Sequence, residues 1–415
     1  MLFRINLNTK KCFFCQTIAK VCNFVPNINP INLINLDFSI SFQQFSFIEQ
    51  AFIALFLFAA LAQLFYYLLI FTKLAFYNND ISSVSEAQPV SVVISAHDED
   101  YNLIENLPAI LEQDYPDFEV IVVNHASADD SMDVLEDFQR KHKQLKIVNI
   151  EQDLNFFKGK KFPLSIGIKS AKNEILLLTD ADCKPTSRNW ITSMVKNYDN
   201  NTDVVLGYGP YNKSKGILNL IIRYDTFMIA MQYFSFSLFG IPYMGVGRNL
   251  SYRRSSFFKN KGFTSHYGIS SGDDDLFIQQ IAKGKNTRIE VSHDSFMYSD
   301  AKPTFATWFN QKRRHFTTGS SYKPLFKVLL SLFSVSQILF YVTLIALLIG
   351  KTLVYPTLLV ATFIILIRVL IQKKCASKLG ENQLLLFSLF GDIFYVIILP
   401  IMAALSLMRK NKSWK

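Results

Sequence analysis

The placing of apolar residues constrains this chain more than any other feature. From Phe52 to Phe76 nearly every side chain is apolar, and no charge intervenes before Lys73. Polar character returns at Asn78 and persists to about Tyr322, after which 326–350, 352–371 and 384–408 are apolar again. A run of about 20 apolar residues is long enough to cross a bilayer. The pattern predicts a membrane helix at 51–77, a globular domain at 78–324, and two to three further membrane helices within 325–408. Tyr66, Tyr67 and Tyr77 would supply interfacial aromatics. Residues 1–50 are rich in Asn, Phe and Ile, show little periodicity, and carry no small-residue cleavage site after a short apolar core. They receive no role, and a basic tail at 409–415 follows the last apolar stretch.

Composition agrees with this division. A chain that is 50% hydrophobic and 18% charged is too apolar for an ordinary soluble protein and too polar for one wholly in the membrane. The net charge of +10 suits either nucleic acid or a domain facing anionic lipid and an anionic substrate. No long Lys/Arg run favours nucleic acid, and the apolar spans favour the second reading. Of five cysteines, Cys12 and Cys15 have a CxxC spacing without a second pair, so neither a zinc site nor a disulfide framework is expected. If 78–324 faces the cytoplasm of a multi-pass plasma (inner) membrane protein, a loop at Lys373–Lys378 is also inside, as positive charge prefers. A full third crossing near the end would then export the basic tail. Asp392 lies within the last apolar stretch, where a carboxylate is costly and often functional.

Within the polar region, Leu176-Leu177-Leu178-Thr179 reads as a buried strand ending in Asp180-Ala181-Asp182-Cys183. Residues i and i+2 of an extended segment point the same way. Two carboxylates on one side suit Mg²⁺ or Mn²⁺, which prefer carboxylate and phosphate oxygen. A solvated turn or a helix cap is the plainer alternative. Cys183 reads as a small packing residue. Val90–Ser95, Phe118–Val123, Leu145–Ile150 and Glu174–Thr179 read as strands alternating with helices, the first ending near Gln113 and another spanning Lys160–Ala171. That alternation implies βαβ units and a parallel sheet, with a nucleotide at the strand ends.

Several motifs then fall in order. Val92 to Glu99 holds a strand and an acidic turn, Val123 to Asp129 a polar loop, and Lys158-Gly159-Lys160-Lys161 a basic one. Thr179 to Asp182 follows, then Gly247 to Arg254, Ser271-Gly272-Asp273-Asp274-Asp275-Leu276, and Gln311-Lys312-Arg313-Arg314-His315. Together they resemble the family 2 inverting glycosyltransferases of the GT-A fold, in their membrane-bound bacterial form. The resemblance covers about 89–320 and implies an α/β fold: a GT-A nucleotide-binding sandwich flanked by one N-terminal and two to three C-terminal transmembrane helices. It implies a nucleotide-sugar donor, a UDP-sugar favoured, held by Ala96, Glu99, Asn124, His125, Lys160 and Asp180. Asp182 and Asp180 would hold the Mg²⁺ or Mn²⁺, with Asp182 the more direct ligand. Asp274, with Asp273 second, would be the general base, and Arg314 and Gln311 would serve catalysis. Asn124 and His125 stand where the family has an acidic pair, Asp273 where Glu is common, and His315 where Trp is usual.

The resemblance implies inverting sugar transfer, metal-assisted, to a lipid-linked or surface-glycan acceptor. A processive polysaccharide synthase and a catalytically degenerate nucleotide-binding scaffold are the alternatives, and a transporter would need more polar residues within the spans. Asp273–Asp275 could also cap a helix, and Glu99 could cap the helix after the first strand. Lys312 and Arg313 would anchor the domain at the anionic leaflet. His266 and His293 read as packed or solvated. The stretch 218–243, interrupted by Arg223 and Asp225, reads as an amphipathic segment at the membrane surface or a core helix.

Overall fold

A computed structural model describes residues 45–78, 87–151, 159–269 and 271–408. Cys12, Cys15, Lys158 and the tail Arg409–Lys415 lie outside the described residues. The chain divides into two units, 1–51 and 52–415. In the first, Ser46 and Glu49 exchange backbone and side-chain hydrogen bonds at the start of a helix, satisfying amides that would otherwise lack acceptors.

The second unit centres on a seven-stranded sheet. Its strands are β1 (Val90–Ala96), β2 (Phe118–His125), β3 (Leu145–Ile150), β4 (Ile175–Asp180), β6 (Val204–Leu206), β7 (Leu250–Arg253) and β8 (Thr287–Ile289), in the order β3-β2-β1-β4-β7-β6-β8. β5 (Cys183–Pro185) pairs with β9 (Met297–Ser299) alongside. β1 to β4 are mutually parallel, whereas β7 runs antiparallel to β4 and β6. β1, β2 and β4 are buried almost throughout, which is why they read as continuous apolar runs instead of alternating ones. The helices are α1 (Phe47–Ala75), α2 (Asp100–Leu111), α3 (Ser131–Lys141), α4 (Lys161–Ser170), α5 (Trp190–Val195), α6 (Ile217–Leu238), α7 (Arg254–Lys259), α8 (Asp275–Ile281), α9 (Phe305–Gly319), α10 (Pro324–Ile349), α11 (Val354–Lys378) and α12 (Leu385–Met408). α2 and α5 cover one face of the sheet with Leu103, Leu107 and Trp190. α4 and α6 cover the other.

Strand order decides where a ligand can sit. From β1 the chain moves outward to β2 and β3, then returns to place β4 on the opposite side of β1. Such a reversal opens a crevice at the strands' carboxyl ends. Ser95 pairs with Asp180 there. Because β7 is antiparallel, its beginning meets the end of β4, with Leu250 opposite Leu178. Leu206 also pairs with Leu250, so the end of β6 reaches the same place.

α1, α10 and α11 are each long and apolar enough to cross a membrane, and α12 joins them if its 63° bend at the break between Ser388 and Phe390 is counted within one span. α1 contains a π-helical turn, Tyr66–Phe71. Three expectations need correction. Lys373–Lys378 is not a loop but the last turns of α11, where cations suit the helix's carbonyl end. The chain reverses after it, where Gly380 takes a φ of 70°. The stretch 218–243 does not lie on a surface. It forms α6, buried along most of its length, because its charges find partners at a distance: Arg223 pairs with Glu381, and Asp225 accepts from Lys312 at 2.6 Å and from Tyr395 at 2.7 Å. Lys312 is accordingly buried in an ion pair and is not an anchor for the leaflet. Asp392 pairs with Arg368 and accepts from Tyr224 at 2.9 Å and Gln337 at 3.2 Å.

Candidate active site

Asp180 ends β4, so the strand itself aims its carboxylate into the crevice. Lys160, at the N-terminal edge of α4, meets it there: its ammonium lies 2.8 Å from Asp180 Oδ1 and 3.0 Å from Asp273 Oδ2. One lysine thus bridges the acid pair of β4 and the acid cluster before α8. Burial opposes its charge, but Asp180, Asp273 and Asp274 outweigh that and hold it well above its ordinary pKa. Burial alone would raise Asp180, yet Lys160 holds it below the usual carboxylate range. Among the described residues Asp182 has no ammonium so close, and burial together with the Asp180 charge pushes it up.

Gly247 explains how closely these groups approach. A Cβ there would lie 2.8 Å from Lys160 Nζ, so only glycine fits without moving the lysine. Its amide donates to Asp274 Oδ2 at 3.0 Å. Asp274 Oδ1 accepts from the Asp275 amide at 2.8 Å, so this residue caps α8 as well as facing the cleft. Partial burial, then the charges of Asp273 and Asp275, raise Asp274 to a pKa of about 7. Asp275 turns the other way and accepts from Thr318 at 2.6 Å and Tyr322 at 2.7 Å.

The carboxylates of Asp180 and Asp182 and the Cys183 thiol have donor atoms within 4.8 Å of one another. The two acids fit a hard divalent cation, and a cationic ammonium already rests on one of them. Cys183 is fully buried, and burial holds its thiol protonated, donating to Asp182 at 3.3 Å. It packs beside the acids and does not suit the same ion.

The other expected residues divide. Arg314 is half-buried in α9, and its charge bears on Asp180. Gln311 donates to the Tyr211 hydroxyl at 3.2 Å. Lys161 points away from Lys160 and donates to the carbonyls of His266 and Ile269, its pKa lowered to about 8 by burial. Asn124 is buried, and its side chain bonds to Asn149 and Ser127. His125 is buried beside it, and its carbonyl lies 2.6 Å from the His97 ring. Ala96, fully buried at the end of β1, can offer only backbone. Glu99 accepts from the Asn102 amide at the start of α2.

Arg248 was not expected as a site residue. It stacks over Tyr211, 4.2 Å from the ring centre, donates to Ser299 at 2.7 Å, and its charge bears on both Asp180 and Asp182. The only sequence signal is its place beside Gly247 ahead of β7.

This is a mixed α/β domain with a carboxylate-lined crevice where parallel and antiparallel strands meet. The sequence model described as Glycosyl transferase family 2 matches residues 91–259, and that described as Glycosyl transferase family group 2 matches 193–408. The chain belongs to the family 2 glycosyltransferases. The structure of mannosyltransferase PcManGT from Pyrobaculum calidifontis in complex with GDP-Man and Mn2+ is similar in fold, with a TM-score of 0.56 and 20% identity, covering 88% of this chain and 100% of that one. The probable glycosyltransferase YdaM of Bacillus subtilis is 26% identical over 59% of this chain and 58% of its own length. The poly-beta-1,6-N-acetyl-D-glucosamine synthase of Staphylococcus epidermidis is 29% identical over 24% of this chain and 23% of its own. The chain therefore spans less than two thirds of the curated relatives it matches.

Proposed function

We propose that this protein transfers a sugar from a nucleoside-diphosphate donor, a UDP-sugar favoured, to an acceptor hydroxyl with inversion, from a cytoplasmic domain on the plasma (inner) membrane. The observation that carries the reading is the Lys160 bridge, which unites Asp180 with Asp273 and Asp274 in one cleft. Asp180 and Asp182 hold Mg²⁺ or Mn²⁺, which when bound supplies positive charge against the departing diphosphate. Lys160, Arg248 and Arg314 add charge on the same side, where forked guanidinium donors match phosphate oxygens. Asp274 lies beside the Lys160 bridge and takes the proton of the attacking hydroxyl. A pKa near 7 suits that task.

The basic end of α11 supports the cytoplasmic placement. Lys374 lies 4.9 Å from the Phe76 ring centre, at the end of α1 that leads into the domain. Positive residues prefer the cytoplasmic side.

The test is release of nucleoside diphosphate by the purified full chain across a panel of nucleotide sugars, with and without Mg²⁺ or Mn²⁺. Metal-dependent release from one donor, lost in Asp182→Asn, supports the reading. No release from any donor would leave a nucleotide-binding scaffold. A product that lengthens with time, without dissociating, would mark a polysaccharide synthase.

A further inference from the structure

The cleft does not end at the acids. A cavity of about 770 Å³ is lined by Asp274, His315 and Trp308, and also by residues of α10 and α12. Its lining on α10 begins at Lys327 and extends to Ile338, about 16 Å along the helix axis. That distance reaches well into a hydrocarbon core about 30 Å thick.

The character of the wall changes along this path. Near Asp274 it is aromatic and polar, with Tyr211, Gln311 and Trp308. Between the long helices it is formed by Leu330, Val335, Ile338, Val396 and Pro400. The Gln337 amide there is engaged by Asp392 and offers little to a sugar. Ser331, Ser334 and Val335 are exposed, so the cavity has an open rim on α10, on a helix apolar enough to cross a membrane. Lys327 is also exposed, one turn inside the start of α10.

We infer that this cavity holds an amphiphilic acceptor: a lipid-linked sugar whose hydroxyl meets Asp274, whose phosphate linker passes Lys327, and whose hydrocarbon chain leaves between α10 and α12. The inference rests on the transferase reading and names its acceptor class. In the step, the acceptor hydroxyl gives its proton to Asp274 and its oxygen bonds to the anomeric carbon. The bond from that carbon to the diphosphate breaks, and the nucleoside diphosphate leaves with the electron pair. A water-borne glycan would gain nothing from an apolar wall, whereas an alkyl chain gains with each methylene buried.

The experiment uses the full chain in nanodiscs, its active donor, and butyl, octyl and dodecyl glucosides as acceptors below their micelle concentrations. The expected result is a rise in kcat/KM of at least about tenfold from butyl to dodecyl, carried by KM. Ser334→Trp and Val335→Trp, both at exposed positions, should each flatten that dependence by filling the gap between helices. Equal kcat/KM across tail lengths, or no transfer to any glucoside while water still releases nucleoside diphosphate, overturns the inference. Absence of nucleoside diphosphate release under every condition would instead overturn the transferase reading beneath it.

Discussion

Two buried charge clusters in this molecule are built on opposite plans. At the cleft, Lys160 bridges Asp180 and Asp273, with Asp182 and Asp274 close by and the charges of Arg248 and Arg314 also bearing on Asp180, so four acids meet three cations. Between the long helices, Arg368 faces Asp392 one to one, with Tyr224 and Gln337 donating to the carboxylate. A matched pair balances its own charge and has no vacancy for another ion. A surplus of carboxylate raises pKa values and invites a cation or a proton, which is the condition for chemistry. Burial of charge is therefore a poor guide to function by itself, and imbalance is the better one.

The contrast can be broken by substitution. Asp274→Asn should lower transfer by about 10²- to 10⁴-fold, the usual share of a general base, with the thermal unfolding midpoint nearly unchanged. Steady-state kinetics and a melting curve on one sample check both halves. Asp392→Ala should do the reverse. Leaving Arg368 buried without its partner should cost about 3–5 kcal/mol of stability, and the double change Arg368→Met with Asp392→Leu should recover most of it. Denaturation in detergent reads this, and equal instability of single and double variants would show that the pair matters for more than charge balance.

A pH profile sharpens the comparison. Asp274 accepts a proton only when ionised, and its pKa is about 7. Below that value the ionised fraction falls about tenfold per unit, so kcat/KM should rise with pH and level off above about 7. A profile already flat from pH 5 would remove Asp274 from the base's role. The smallest effect is expected at Gly247→Ala. The added methyl group must displace the Lys160 ammonium, the tip of a flexible side chain, so little stability should be lost. The loss should appear mainly as weaker activity, since the lysine serves the cleft.

The parallel half of the sheet was legible because strands buried on both faces leave uninterrupted apolar runs, as in Leu176–Leu178. The acid pair was legible because it ends such a run. β6, β8 and β9 were not, being three residues each, too short to show a period. The sequence leaves α6 undecided between a surface segment and a core helix because its charges look like solvent-facing breaks, while Glu381 and Lys312, which pair with them, are remote in sequence. The same blindness hid the hydrogen bond of Asn124 to Asn149, which lies on β3. Arg248 escaped because nothing local distinguishes a guanidinium that stacks on Tyr211 from one in water.

α6 belongs by sequence to the globular region, yet it is held to the helices beyond that region by Tyr395 and Glu381. Cutting the gene after residue 322 to obtain a soluble enzyme would strip these supports and bare a wide greasy stripe. Such a fragment should clump or misfold, and the catalyst is best purified whole, with its anchors attached.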